Sequence, residues 1–268
     1  MNFKYLFTDI DGTLLSTGND VSEMTISEIN RIKHRVQTIL VSARMPSAIT
    51  YLQKRLGIEG LPIICYNGAL IMEGNKVIDS TEIPTATLEA LYDITKDRKD
   101  IHLGIYAEDE WYVEKHSARI EKEKFNTQVS PTFMPISEAI AKLKYQNRGA
   151  HKIMTMASEE ASKAIYPILQ AHFSDSLHLY RSNATLIEIA DKRISKLTAI
   201  KDLLKGQHAS LEQVIAFGDN YNDVEMLEAV GFGVAVANAR EEAKAVADAI
   251  TDHHKEHGVA KAIAKYIP

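Results

Sequence analysis

Short apolar runs alternate with helical patterns along the first third of the chain. Residues 5–8, 38–41 and 62–66 are apolar runs of a length that predicts strands. Between them, apolar residues recur at helical spacing, first after Ser22 and then up to Gly57. This alternation is typical of a parallel sheet with helices on both faces.

The same pattern returns near the C-terminus. Residues 214–217 and 232–236 are apolar runs, and a helical pattern at residues 224–230 separates them. Residues 249–251 predict one short further strand. Both ends of the chain therefore belong to one α/β fold with a doubly wound, Rossmann-like parallel sheet.

The middle of the chain mixes helical and strand patterns without that regular alternation. This predicts an α+β domain inserted into the parallel-sheet core. We place the core domain at residues 1–82 and 186–268, and the inserted domain at residues 83–185. Neither border is rich in Gly or Ser, so we expect two short connections.

Composition and charge exclude several classes of protein. Of the 268 residues, 45% are hydrophobic and 25% are charged, values that distinguish a globular protein from a disordered or collagen-like one. The net charge of −5, without a basic block, argues against nucleic acid as a partner. The lone Cys65 permits no intramolecular disulfide, and neither a signal peptide nor an apolar run of ~18 residues is present. We expect a cytoplasmic monomer or small homo-oligomer with no membrane partner.

Two carboxylates, Asp9 and Asp11, directly follow the first predicted strand. Ligands of open α/β sheets bind at the carboxyl ends of strands, so both side chains should lie in a crevice and not in the core. Carboxylates this close repel one another unless a cation lies between them or one holds a proton. Their hard oxygen atoms suit Mg²⁺.

A second acidic cluster follows the predicted strand at residues 214–217. Asp219 and Asp223 lie there in an Asn- and Asp-rich segment, which alone would predict only a turn. If this strand is a parallel neighbour of the first, the two clusters meet at one edge of the sheet. Ser42, Arg44 and Lys196 offer weaker signals, since such residues usually cap helices or lie in solvent.

These segments together resemble the haloacid dehalogenase-like hydrolases, and they are most similar to the Cof-type branch with a large α/β cap. The resemblance covers both parts of the core, whereas the middle matches only in size and position. It rests on Asp9-Ile-Asp-Gly-Thr-Leu14, Ser42-Ala-Arg44, Lys196, Gly218-Asp-Asn-Tyr-Asn-Asp223, Tyr66-Asn-Gly-Ala69 and Val236-Ala-Asn-Ala239.

The resemblance implies roles for the acidic residues. Asp9 would be the nucleophile that forms an aspartyl-phosphate, and Asp11 would be the general acid and base. Mg²⁺ would bind the carboxylates of Asp9 and Asp219 and the main-chain carbonyl of Asp11. Asp223 would orient the metal site.

The resemblance also implies which residues bind the substrate. Ser42 and Lys196 would hold the phosphoryl oxygens. Three departures from the family pattern lie at this site: Ser42 replaces the usual Thr, Ala43 the usual Gly, and Leu197 a common Gly. Further possible substrate contacts are Gly12, Arg44, Asn67 and Asn222.

The sequence thus predicts a Mg²⁺-dependent phosphatase of small phosphorylated metabolites, such as sugar phosphates. The proton donor expected at Asp11 favours phosphatase over dehalogenase chemistry. Three alternatives stay open: a phosphosugar mutase, a non-catalytic phosphosugar-binding regulatory protein, and a receiver-like phosphoacceptor domain. The late second acidic cluster and the large insertion count against the last.

Overall fold

The computed structural model of the protein describes residues 2–268. Its strands are β1 (Tyr5–Thr8), β2 (Gln37–Val41), β3 (Pro62–Cys65), β4 (Leu70–Glu73), β5 (Lys76–Ser80), β6 (Ile101–Ala107), β7 (Glu110–Val113), β8 (Thr132–Phe133), β9 (Lys152–Ala157), β10 (Leu177–Asn183), β11 (Leu186–Asp191), β12 (Val214–Gly218), β13 (Phe232–Val236) and β14 (Ala249–Thr251). Its α-helices are α1 (Glu23–Ile32), α2 (Ser47–Leu56), α3 (Thr85–Thr95), α4 (Ala118–Thr127), α5 (Ile136–Tyr145), α6 (Glu159–Phe173), α7 (Lys196–Gly206), α8 (Val224–Ala229), α9 (Glu241–Val246) and α10 (Gly258–Tyr266).

The core domain is built on an eight-stranded sheet in the order β14-β13-β12-β1-β2-β3-β4-β5. The strands from β14 to β3 run parallel, and β4 pairs antiparallel with β3. The whole of β1 and of β12 is buried, as expected for strands covered on both faces. The predicted α/β fold class is confirmed, whereas the β4–β5 edge was not anticipated.

The strand order reverses at β1, which places a crevice at the carboxyl end of this strand. From β1 the chain builds outward through β2 and β3, and from β12 it builds in the opposite direction through β13 and β14. Thr8 aligns with both Leu40 and Phe217, so the residues that follow β1, β2 and β12 reach the same edge of the sheet. A ligand site of an open α/β sheet lies at such a switch point.

Local signals explain where the core helices begin and end. The Ser22 hydroxyl accepts a hydrogen bond from the Thr25 N–H and so caps α1. Gly57, with a φ of 66°, ends α2 in the left-handed conformation that glycine adopts readily. None of the helices among residues 2–268 is long and apolar enough to cross a membrane.

The inserted domain has its own sheet, in the order β10-β11-β9-β6-β7-β8. All neighbours are antiparallel except β7 and β8, which run parallel. One face of the sheet packs against α3, α5 and α6 around buried residues such as Ile153, Ile165 and Leu169. The predicted α+β character of this segment is therefore confirmed.

The structure places the borders of the two domains differently from the sequence prediction. The core comprises Met1–Asp79 and Ser195–Pro268, and the inserted domain comprises Ser80–Ile194. The predicted return to the core at residue 186 falls inside the second sheet. The reason is that β11 pairs with β9 and β10, and an apolar run alone does not reveal which sheet it joins.

Replacing Leu169 with Ala should destabilise the inserted domain by about 2–5 kcal/mol, because it leaves a cavity in a fully buried cluster. Urea unfolding followed by circular dichroism measures the change. Phe125→Ala is the matched control, since this side chain is 69% exposed. Equal stability of the two variants would contradict the assigned core.

Candidate active site

Asp9 and Asp11 lie in the loop that follows β1. The Asp9 N–H donates to the Phe217 carbonyl at 3.0 Å, which continues the β1–β12 pairing as far as the first carboxylate. Gly12 has a φ of 85°, and a Cβ at this position would lie 2.6 Å from an Asp219 carboxylate oxygen. Glycine is thus required both for the turn and for the close approach of Asp219.

Asp223 is fixed to the end of β12. Its Oδ2 accepts the N–H groups of Asp219 and Asn220 at 2.9 and 3.0 Å. A Cβ on Gly218 would lie 2.5 Å from the Asp223 Cβ, so only glycine allows this approach. Asp219 and Asp223 thus lie together, as the sequence predicts, and the Asp223 side chain is directed towards the end of β12.

Lys196 lies at the first position of α7, where its side chain is completely buried. Its Nζ donates to Asp9 Oδ1 at 2.5 Å and to Asp223 Oδ1 at 2.6 Å. Ser195 caps the helix, and Gly68 lies so close that an added Cβ would be 2.5 Å from the Ser195 carbonyl oxygen. The turn after β3 thus packs closely against the start of α7 and fits Lys196 into the crevice.

Burial and neighbouring carboxylates raise the proton affinity of Asp9 and Asp219. Asp9, Asp219 and Asp223 each place an oxygen within 4.8 Å of the others. Burial, together with Asp223 and Asp219, raises the pKa of Asp9 well above its ordinary value, although Lys196 opposes this. Burial and Asp223 likewise raise the pKa of Asp219 to about 6, against the hydrogen bond from Thr13.

The residues of this cluster fit a divalent cation. Three ionised carboxylates and one ammonium group leave two negative charges, which a divalent ion balances. The donors are carboxylate oxygens, the ligand type that Mg²⁺ prefers. The pKa values of Asp9 and Asp219 are raised, and a cation bound between them would lower both by favouring the ionised forms.

Asp11 lies outside this cluster and pairs with Arg44. Arg44 Nη2 lies 2.6 Å from Asp11 Oδ1, and Arg44 Nε donates to Asp11 Oδ2 at 2.7 Å. Burial alone would lower the pKa of Arg44, but the hydrogen bonds and charge of Asp11 hold it above its ordinary value. The sequence left Arg44 with no defined partner, so this pair is a finding of the structure.

The remaining predicted residues lie at the ends of β2, β3 and β12. The buried Ser42 hydroxyl accepts the Arg44 N–H at 3.2 Å, and α2 begins only at Ser47. Ser42 is therefore farther from a helix N-terminus than the sequence suggested. Asn222 Nδ2 donates to Asn67 Oδ1 at 3.0 Å, so these two candidates meet directly.

Two further residues shape the site and were given no role from the sequence. Thr13 donates its hydroxyl to Asp219 Oδ1 at 3.0 Å. Asn238 Nδ2 donates to the Gly12 carbonyl at 2.8 Å and so supports the loop after β1. Both residues occur within segments that carry the family resemblance, but only the folded chain shows which groups they contact.

Comparison with known proteins identifies the family. A model of the haloacid dehalogenase-like hydrolases matches residues 6–263, and the chain belongs to this family. A Haemophilus influenzae protein provisionally named a phosphatase is 29% identical over 272 residues, which cover all of both chains. The Bacillus subtilis 5-amino-6-(5-phospho-D-ribitylamino)uracil phosphatase YitU is 28% identical, with 96% of this chain and 95% of its own covered.

A solved structure supports the same assignment. A sugar phosphatase of subclass IIB of this superfamily superposes with a TM-score of 0.79 at 25% identity, covering 98% of each chain. The family match, the parallel-sheet core with its inserted domain, and relatives named as phosphatases agree with one another. The protein is thus an enzyme of the phosphatase class.

Replacing Lys196 with Met should lower the free energy of unfolding by about 3–5 kcal/mol, because it leaves the Asp9 and Asp223 carboxylates buried without their cation. Urea unfolding in the presence of a metal chelator measures the loss. Lys205→Met is the control, since Lys205 is exposed on the same helix. A change no larger than that of the control would contradict the central position of Lys196.

Proposed function

We propose that this protein hydrolyses phosphate monoesters of small metabolites, with sugar phosphates as the substrate class. The observation that carries the proposal is the contact of Lys196 with Asp9 at the switch point of the sheet. A buried carboxylate with one oxygen bound to an ammonium group is held in a single orientation, as a nucleophile requires.

Mg²⁺ is the proposed cofactor. The carboxylates of Asp9 and Asp219 and the main-chain carbonyl of Asp11 would hold the ion, and Asp223 would orient the site through the Asp219 N–H. When bound, Mg²⁺ supplies charge neutralisation for a phosphate group that approaches several carboxylates. Thr13 keeps Asp219 directed towards this position through its hydroxyl contact.

The reaction proceeds in two displacements at phosphorus. An Asp9 carboxylate oxygen attacks the phosphorus, and the bond from phosphorus to the ester oxygen breaks as Asp11 gives that oxygen a proton. Water then attacks the aspartyl-phosphate while Asp11 accepts its proton. The products are the free alcohol, inorganic phosphate and the original Asp9 carboxylate.

Three side chains would bind the phosphoryl group. The Lys196 ammonium offers charge next to Asp9. The Ser42 hydroxyl accepts the Arg44 N–H, so its own hydrogen can donate to a phosphoryl oxygen. Asn222 is directed by its hydrogen bond with Asn67, and its carboxamide could donate a second one.

The names of two relatives support the proposed substrate class. YitU is named for a phosphorylated ribityl compound, and the subclass IIB structure is that of a sugar phosphatase. Both substrates are phosphate esters of polyhydroxylated carbon chains, which is the chemistry we assign to the substrate here. We further propose a cytoplasmic enzyme that acts as a monomer or small homo-oligomer without nucleic acid.

Replacing Asp9 with Asn should abolish turnover and leave the protein folded, because an amide is a poor nucleophile. The measurement is phosphate release from sugar phosphates, nucleotides and pyridoxal phosphate, with Mg²⁺ and with chelator. Asp202→Asn, at an exposed acid of α7, should match wild type. Retained turnover in Asp9→Asn would overturn the assignment, and isomeric sugar phosphates without free phosphate would indicate a mutase.

Stabilisation by Mg²⁺ should weaken as the pH falls below about 6. Because the pKa of Asp219 is higher in the folded protein than in an unfolded chain, its proton stabilises the fold at low pH, and this contribution is lost as the pH rises through about 6. Mg²⁺ competes with this proton. The rise in Tm on adding Mg²⁺ should thus be larger at about pH 7.5 than at about pH 5, by calorimetry. An equal rise at both would contradict a site that includes Asp219.

A further inference from the structure

Arg44 and Asp11 form a two-point ion pair beside the buried carboxylates. The two contacts, at 2.6 and 2.7 Å, join two guanidinium nitrogens to the two carboxylate oxygens. Arg44 is only 5% exposed, whereas the Asp11 side chain is 56% exposed. The arginine is therefore the buried partner of the pair and the aspartate is the exposed one.

The surroundings of Arg44 fix its guanidinium group. Nη1 donates to the Ala48 carbonyl at 3.3 Å and to the Tyr51 hydroxyl at 3.4 Å, both on α2. The Arg44 N–H donates to Ser42 Oγ, and its carbonyl accepts the Tyr66 N–H at 3.1 Å. Helix α2 thus holds the Arg44 side chain, whereas the turns after β2 and β3 hold its main chain.

These contacts leave Arg44 little capacity to bind a substrate. Nε and Nη2 face Asp11, and Nη1 faces α2, so each of the three guanidinium nitrogens has a protein acceptor. Four of the five guanidinium N–H groups donate to Asp11, Ala48 and Tyr51, so the substrate contact considered for Arg44 from the sequence stays a prediction with one N–H group to make it. The group that Arg44 contacts at two points is the carboxylate of Asp11.

We propose that Arg44 is a positioning residue for proton transfer, which fixes Asp11 in the orientation from which it protonates the leaving oxygen. In this step Asp11 carries the transferred proton on one carboxyl oxygen, and the remaining lone pair of that oxygen still accepts from Arg44, so the two-point contact persists in the acid form. This inference rests on the proposed phosphatase function. An exposed aspartate on a loop has several rotamers, and a planar two-point contact selects one of them. Lysine carries the same charge but lacks the planar fork, so it cannot select the orientation in this way.

The leaving group distinguishes this role from a general structural one. An alkyl phosphate needs a proton on its departing oxygen, whereas p-nitrophenolate departs readily without one. The value of kcat/KM reports the steps up to loss of the leaving group and excludes hydrolysis of the aspartyl-phosphate. A defect in positioning Asp11 should therefore lower kcat/KM for the alkyl ester alone.

The experiment compares glucose 6-phosphate, or the best sugar phosphate found, with p-nitrophenyl phosphate in the presence of Mg²⁺. The variants are Arg44→Lys and Arg44→Gln, each alone and combined with Asp11→Asn. We expect kcat/KM for the sugar phosphate to fall about tenfold or more, with the roughly 10²–10⁴-fold contribution of general acid catalysis as the upper limit. For p-nitrophenyl phosphate it should fall less than about threefold, and neither Arg44 variant should add to the loss in Asp11→Asn.

The control is Arg55→Lys. Arg55 lies on α2, like the partners of Arg44, but it forms an exposed ion pair with Asp20. Its replacement should leave kcat/KM for both esters unchanged. Equal losses on the two esters, a rise in KM alone, or a further loss in the Asp11→Asn background would overturn the role of Arg44. Melting curves identify a variant that fails to fold, and the other replacement then decides. No Mg²⁺-dependent release by wild type would instead overturn the proposed function, and this role with it.

Discussion

The buried contact of Lys196 with Asp9 and Asp223 is the interaction on which the rest of the site depends. It joins three segments that are distant in sequence: the end of β1, the start of α7 and the turn after β12. A buried ammonium group without a partner would be strongly unfavourable, as would either carboxylate. The three segments must therefore meet, and the carboxyl edge of the sheet acquires a defined shape before any substrate binds.

The same contact leaves the crevice with an excess of negative charge. One ammonium group cannot balance three carboxylates, and burial together with the repulsion that remains raises the pKa values of Asp9 and Asp219. A divalent cation would offset this excess charge, and in the proposed reaction it would do so before a phosphate dianion approaches. Gly12 and Gly218 allow the carboxylates to lie this close together. A Cβ at Gly12 would displace Asp219, and one at Gly218 would displace Asp223.

The sequence indicates the site residues that directly follow predicted strands. It does not indicate contacts between segments that are distant in the chain. The proximity of Asp9 and Asp219 can be predicted because each follows an apolar run, and the two runs form the paired strands β1 and β12. The contacts of Lys196 cannot, since a lysine at the start of a helix is usually solvated, and only the family resemblance indicated its importance. The domain border near β11 was misplaced for a related reason: an apolar run does not reveal its neighbours in a sheet.

The pairing of Arg44 with Asp11 gives the two aspartates of residues 9–11 different partners. Ile10 is fully buried between the two aspartates, so the chain directs Asp9 into the closed crevice and leaves Asp11 more than half exposed. Each carboxylate then meets a different cation: an ammonium group that is completely enclosed, or a guanidinium group anchored on α2. Two identical side chains thus acquire different environments, and the proposed mechanism needs this difference because it assigns attack to one carboxylate and proton transfer to the other. The one-residue spacing is sufficient for this because the loop after β1, with Gly12 at its turn, changes direction immediately after the strand ends.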